Sequence, residues 1–232
     1  CPQARLAIVT PSHQFPTGVT MHLSRRLALL EWSREAHAWI VEDDYDSEYR
    51  FSGRPLEALH GLERSGRVLY IGTFSKTLFP ALRLGYLVAP PELLTGLIAA
   101  QRFSAIHPPL LEQMALADFI AEGYFARHLR RMRQIYKERR DALVDALTQE
   151  LGNRVRVTVP EAGMHLVAWL AADMNAHAIV QQATENGLHM LPISHFSLRS
   201  LQHDGLLLGF ASASPHELRA GIHTLARALQ AS

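Results

Sequence analysis

Cysteine is almost missing from this chain: one residue, Cys1, stands among 232. No internal disulfide can form, so a packed core must hold the fold, as suits a reducing cytoplasm. No apolar run approaches the ~20 residues that a bilayer crossing needs. No charged-then-apolar segment opens the chain as a secretory signal would. A strong charge of either sign is also lacking, since 23 Lys and Arg face 22 Asp and Glu for a net +1. No global field therefore steers the chain toward nucleic acid or an anionic membrane. Among 13 histidines there is no His-Glu-x-x-His and no Cys/His ligand set, so no metal is expected. Repeats and low-complexity segments are absent.

What remains is an ordinary globular composition, 48% hydrophobic and 19% charged, long enough for one large or two modest domains. Short apolar runs alternate with helical patterns. Leu6 to Val9, Ala38 to Val41, Val68 to Ile71 and Leu84 to Val88 are expected to be strands buried on both faces of one sheet. Between the first two, Thr20 to Ala36 has Leu23, Leu27, Leu30 and Trp32 at or near helical spacing. Strand, helix, strand points to an α/β domain with a mainly parallel sheet. A chain that enters a core strand by Leu6 looks like a piece of something longer.

From Pro108 to Leu151 the pattern turns helical and long, with Leu129, Met132, Tyr136, Leu143 and Leu147 near one stripe. Its arginines read as a solvated face, because acidic and apolar residues interrupt them and no aromatic interleaves for stacking. Beyond Gly152, strands at Val155–Val159, His165–Leu170 and Leu206–Phe210 alternate with helices at Asn175–Asn186 and Pro215–Leu229, a small α+β domain. The expected division is 1–123, part of a large domain, and 124–232, a connecting helix and small domain.

Polar clusters follow the first three strands, where α/β sheets bind ligands. The most informative runs Gly72-Thr73-Phe74-Ser75-Lys76-Thr77, continuing to Arg83. Lysine beside low dielectric and a partner cation loses its proton more readily and becomes a nucleophilic amine. Such an amine condenses with aldehydes, that of pyridoxal phosphate (PLP) included. Thr73, Ser75 and Arg83 offer the hydroxyls and guanidinium fork that suit a phosphate. A P-loop would need Gly-Lys-Thr where Ser75 precedes Lys76, and a penicillin-binding Ser-x-x-Lys would need serine where Thr73 stands. The acidic run Asp44-Tyr45-Asp46-Ser47-Glu48 fails as a calcium loop: Tyr49 takes the sixth, glycine place, and 50–55 lack the closing glutamate.

The second segment is Glu42-Asp43-Asp44-Tyr45-Asp46-Ser47-Glu48. A carboxylate there could pair with a pyridinium nitrogen, and a phenol two residues on could hydrogen-bond a ring hydroxyl; a helix cap or a solvated turn would use the same residues. The third, Thr10-Pro11-Ser12-His13-Gln14-Phe15-Pro16-Thr17-Gly18, is a stiff turn. His13 and His195 could face a cleft but are expected to be satisfied structural histidines.

In this order and spacing the three segments resemble fold-type I PLP enzymes of the aminotransferase class I/II group. More narrowly they resemble the MocR-type transcriptional regulators of the GntR superfamily. The likeness is dense from about Leu6 to Pro91 and looser to the C-terminus. It implies the PLP-dependent transferase fold type I and an aldimine at Lys76. It further implies Asp43 on the pyridine nitrogen, Tyr45 on the ring hydroxyl, and Thr73, Ser75 and Arg83 around the phosphate.

By the same resemblance this is the effector-sensing domain of a cytoplasmic, dimeric regulator. It would exchange Lys76 for a small amine or amino acid, and would reach DNA only through a winged helix upstream of Cys1. The alternative is a working aminotransferase. Without a glycine-rich phosphate turn before Lys76, the chain alone is expected to hold an incomplete pocket. Two departures stand out. Phe15 occupies the place of a usual asparagine. Gly209-Phe210-Ala211-Ser212 lacks an arginine that many members use on a substrate carboxylate, a place Arg199 could take.

Overall fold

A computed structural model of the chain describes residues 3–53, 56–106 and 109–230. Cys1, Pro55 and Pro108, which entered the sequence reading, lie outside these. The chain divides into two compact units. The first comprises Cys1–Gln14, Val19–Glu48 and Arg54–Arg130; the second comprises Phe15–Gly18, Tyr49–Gly53 and Arg131–Ser232.

The first unit is built on a four-stranded sheet in the order β1 (Leu6–Val9), β2 (Trp39–Asp44), β3 (Val68–Thr73), β4 (Gly85–Val88). The first three strands are parallel and β4 is antiparallel to β3. Helices α1 (Leu23–Glu35) and α2 (Leu59–Leu62) lie in the two crossovers. Right-handed crossovers put both on the same side of the sheet. There Ile40, Leu59 and Val68 are buried, with Val9, Leu29, Leu30 and Trp32 packed around them.

Register assigns the opposite face to Leu6 and Ile8, Val41 and Asp43, Leu69 and Ile71, and Leu87. On it Leu6, Ile71 and Leu87 are exposed, and Ile8 is 70% exposed. The expectation of burial on both faces is therefore not met, because the crossover helices cover one side alone. After β4 come α3 (Pro91–Ala105), α4 (Leu110–Ala121) and α5 (Tyr124–Leu151), whose last three-quarters belong to the second unit.

The second unit carries an antiparallel sheet in the order β5 (Val155–Val157), β6 (His165–Leu170), β8 (Gly205–Gly209), β7 (Leu191–Pro192). It also carries α6 (Ala176–Glu185) and α7 (Pro215–Gln230). Leu143, Leu147 and Leu151 of α5 repeat every four residues, as do Leu218, Ile222 and Ala226 of α7, so each helix turns one stripe to the core. Those stripes meet Leu166, Ala168 and Leu170 of β6, Leu206 and Leu208 of β8, and Ile179 and Ala183 of α6 in one continuous cluster. Asn175 caps α6, accepting from the amides of His177 at 3.0 Å and Ala178 at 3.1 Å. Gly187, at φ 77, follows the helix end as expected.

Several boundaries differ from the sequence reading. The long helical stretch is two helices, broken at Gly123, where φ is 76. Both β2 and β3 run two or three residues further than their apolar runs. Polar residues thus lie inside the strand ends rather than beyond them. Arg140 is not on a solvated face; it is buried, donating to the Pro160 carbonyl and pairing with Asp141.

Candidate functional site

Parallel pairing brings the carboxyl ends of β1, β2 and β3 to one edge of the first unit. The turn after β1 is tightly fixed. Buried Arg26 of α1 donates to the carbonyls of Pro11 and Glu57, each at 2.8 Å, and Met21 at 2.9 Å. The Thr20 hydroxyl donates to the Ser12 carbonyl at 3.1 Å, and the Gln14 amide to Val19 at 2.9 Å. Arg26 escaped the sequence reading. No local pattern marked it: the leucines at helical spacing beside it, Leu23 and Leu27, are 59% and 51% exposed.

The acidic stretch after β2 is divided between tasks. Glu42, fully buried, accepts from the Leu59 and His60 amides, both at 2.9 Å, and so caps α2. Burial raises its carboxyl above the ordinary 4.5. Asp44 Oδ2 accepts from the Tyr70 hydroxyl at 2.7 Å and the Ser47 hydroxyl at 2.6 Å. Asp46 Oδ2 lies 2.8 Å from His13 Nδ1. Asp43 alone of these four acids has no hydrogen-bond donor among the described residues. It points to the sheet face opposite Asp44, and burial followed by repulsion from Asp44 and Asp46 raises its carboxyl above 3.8. Tyr45 donates to the His13 carbonyl at 2.8 Å. Burial, then Asp46, keeps its phenol protonated well above the usual tyrosine range.

Lys76 sits in the turn after β3. That turn is closed by the Leu78 amide on the Phe74 carbonyl at 2.8 Å and the Ser75 amide on Thr73 Oγ1 at 3.1 Å. His128 of α5 meets the Thr77 carbonyl at 2.9 Å, and Phe74 packs edge-on against Phe125. Lys76 itself is exposed rather than held in low dielectric, contrary to the sequence argument, and its charge acts favourably on Asp46. Arg83 is exposed and takes a left-handed backbone, φ 52, at the corner leading into β4. For a non-glycine residue that is a costly conformation which surrounding structure must impose. Two residues later Gly85 pairs with Thr73. Asp43, Thr73, Ser75, Lys76 and Arg83 thus belong to one unit and to neighbouring strand ends. Neither Lys76 Nζ, the Ser75 hydroxyl nor the Arg83 guanidinium is engaged by another described side chain or carbonyl.

Behind this edge runs a tyrosine ladder. The Tyr86 ring lies 6.1 Å from that of Tyr70, whose hydroxyl donates to Asp44. Gly72 is required here, because the Tyr86 ring occupies the place of its missing β-carbon.

The remaining expected residues lie in the second unit. Phe15 stacks edge-on with His165 at 5.4 Å and Phe196 at 5.0 Å, so an aromatic cluster replaces any polar role there. Ser212 and Arg199 are exposed. Arg139 of α5 donates to the Ala211 carbonyl, next to Ser212. His13, in the first unit, is buried, with Nδ1 2.8 Å from Asp46 Oδ2. His195 is exposed, with its ring edge-on to Phe196.

The sequence matches the family description "Aminotransferase class I and II" over residues 1–225. The "probable rhizopine catabolism regulatory protein MocR" of Rhizobium meliloti is 45% identical over 99% of this chain and 47% of its own length. The uncharacterized HTH-type transcriptional regulator YhdI of Bacillus subtilis is 38% identical over 95% of the chain and 47% of its own. The chain therefore spans about half the length of the curated relatives it matches. Among solved structures, the kynurenine aminotransferase of Pyrococcus horikoshii, in complex with PMP, superposes with a TM-score of 0.89. It is 31% identical over 98% of this chain and 56% of that one. The α/β fold expected from the motifs, fold type I of the PLP-dependent transferases, is the fold these likenesses show.

Proposed function

Since the chain belongs to the aminotransferase class I and II family, we propose that it is the PLP-binding, effector-sensing part of a MocR-type transcriptional regulator. When bound, PLP supplies an aldehyde that condenses with amines and a ring that draws electrons from the carbon beside the nitrogen. Lys76 offers Nζ as the attaching amine from an exposed turn. Asp43 holds its carboxylate for the pyridine nitrogen, and Tyr45 presents its phenol oxygen to the ring hydroxyl. Thr73 and Ser75 donate hydroxyls to the phosphate, and Arg83 donates its guanidinium fork. The donor set suits the cofactor, with an amine, an acid, two hydroxyls and a guanidinium on neighbouring strand ends.

One observation carries the reading. Of the four acids after Val41, Asp43 is the one without a donor among the described residues, while Lys76, Ser75 and Arg83 are likewise uncommitted. Structural roles account for Glu42, Asp44 and Asp46; a ligand accounts for the rest. Within this reading, residues 1–123 form part of the large PLP-binding domain and 124–232 the connecting helix and small domain. The regulator assignment draws support from the two relatives named as regulators. A small amine or amino acid would displace Lys76, DNA would be bound by another part of the protein, and the working form would be a cytoplasmic homodimer.

The likeness to a kynurenine aminotransferase favours a second reading, a working transaminase. Borohydride reduction of the natural protein with PLP, followed by peptide mapping, should place a pyridoxyl group on Lys76. An adduct elsewhere overturns the site. Candidate amines should change the visible absorption without forming keto acid. Sustained keto-acid release would establish the transaminase instead.

A further inference from the structure

Leu206 and Leu208 of β8 enter the core of the second unit, so alternation turns Leu207 and Gly209 to the other face of the sheet. Leu207 pairs there with Leu191 of β7, and Gly209 with His165 of β6. A side chain at Gly209 would meet nothing within 4 Å, so the face is hollow at that point. The hollow belongs to a cleft of about 580 Å³ walled by Phe15, Val180, Met190, Leu191 and Leu207. That size lies within the roughly 300–1,000 Å³ of small-molecule sites.

Its polar walls are few. His165 meets the Pro16 carbonyl through Nε2 at 3.0 Å, and Thr184 spends its hydroxyl on the Val180 carbonyl at 2.8 Å. His189 stands exposed beside them. Among the described residues no lysine, arginine, aspartate or glutamate lines the cleft, and neither Arg139 nor Arg199 is among its walls. An apolar group gains by leaving water for such a place, while a carboxylate would lose its hydration and find no guanidinium or ammonium in exchange.

The chain itself ties this cleft to the residues given to PLP. Phe15 is two residues past His13, so their Cα atoms are at most about 7.6 Å apart, two trans steps. The His13 carbonyl accepts from the Tyr45 hydroxyl at 2.8 Å, and Asp46, 2.8 Å from the His13 ring, feels the charge of Lys76. Covalent geometry alone keeps one wall of the cleft beside the backbone that holds Tyr45. We propose that the cleft receives the body of the effector, and that the effector is a primary amine with an uncharged, apolar body and no carboxylate, rather than an α-amino acid. This rests on the PLP reading above, in which such an amine displaces Lys76.

The test compares matched pairs that differ by a carboxylate alone: 2-phenylethylamine with phenylalanine, and 3-methylbutylamine with leucine. Each is titrated into the natural protein loaded with PLP, and exchange is read from the visible absorption. The titrations are run at about pH 8, where an ordinary imidazole of pKa ~6.5 carries no charge to offer a carboxylate. Each amine should bind at least about tenfold more tightly than its amino acid. Leu207→Arg sets a guanidinium in the wall and should cut that preference at least about fivefold, strengthening the amino acids and weakening the amines. If thermal melts show that this variant does not fold, His189→Arg at the exposed wall takes its place with the same expectation. Equal affinities, a preference for the amino acids, no exchange with any of the four, or a preference that the folded arginine variant leaves unmoved overturns the inference. A borohydride-fixed pyridoxyl group on Lys76 would leave the PLP reading standing in each of those cases. Its absence from the wild type overturns both.

Discussion

The two units of this chain are built to opposite priorities. In the second, α5, α6, α7 and the antiparallel sheet share one continuous core, and its charged side chains work mostly at the surface. In the first, three fully buried apolar residues anchor one sheet face while the other face stays exposed. Its interior is instead rich in buried polar groups: Arg26, Glu42, Asp44, Asp46, His13 and Thr77. The first unit spends its enclosed volume on holding backbone and acids in place, the second on packing. Ligand chemistry belongs where polar groups are pre-set, and stability where apolar ones interlock.

The sharpest break in that comparison comes from Lys76→Ala. It should abolish the covalent pyridoxyl adduct while leaving both units folded, as peptide mapping and circular dichroism would record. Loss of fold would mean that the turn is structural. Next in size, Leu206→Ala in the second unit should cost about 2–5 kcal/mol, as deletion of a fully buried leucine does. Ile8→Ala on the exposed sheet face should cost within about 0.5 kcal/mol. Equal costs in denaturant melts would show that something covers that face. Asp43→Asn should lower PLP affinity on the order of tenfold, since a hydrogen bond to a charged nitrogen is worth roughly 1.5–3 kcal/mol. Unchanged affinity would move the role to another acid.

The smallest expected effect separates the units by acid. Burial raises Glu42, Asp43 and Asp46 above their ordinary values in the first unit. The folded state then holds protons that the unfolded chain would release. Their contribution to stability is full below the ordinary carboxyl range and falls as pH rises through their raised folded values. In the second unit, Asp141 is lowered despite burial by Lys137 and Arg140, and Asp204 despite burial by Ser194 and two amides. Their contribution is full above the ordinary range and is lost as pH falls below it. Hydrogen exchange resolved by segment should therefore show the stretch 42–46 steadying, relative to the segments around Asp141 and Asp204, as pH drops from about 7 to about 4.5. Parallel loss in both would refute the division.

The candidate site stood out in the sequence because it broke local rules. A lysine after Gly72-Thr73 and four acids in five positions are odd company for buried strands, and oddity at a strand end carries information. Element types were legible for similar reasons, since Leu143, Leu147 and Leu151 repeat without interruption. What was not legible depended on three dimensions. Nothing local says that Glu42 would cap a helix 17 residues away, or that Asp44 would take Tyr70, leaving Asp43 as the uncommitted acid. Nor could an apolar run say how many of its faces are covered. Leu6 to Val9 reads as a core strand, and Ile8 is 70% exposed. The exposure of Lys76 belongs with these, because a turn of mixed composition does not reveal which side of it meets solvent.

Gly72 has the widest reach for the smallest side chain. Every other amino acid at that position would push the Tyr86 ring off the sheet. Tyr86 packs beside Tyr70, whose hydroxyl donates to Asp44, so a displaced ring would press on the donor of a buried carboxylate. A misfit of one methyl group would thus reach an acid on the helix-covered face, next to Asp43 in sequence but turned away from it.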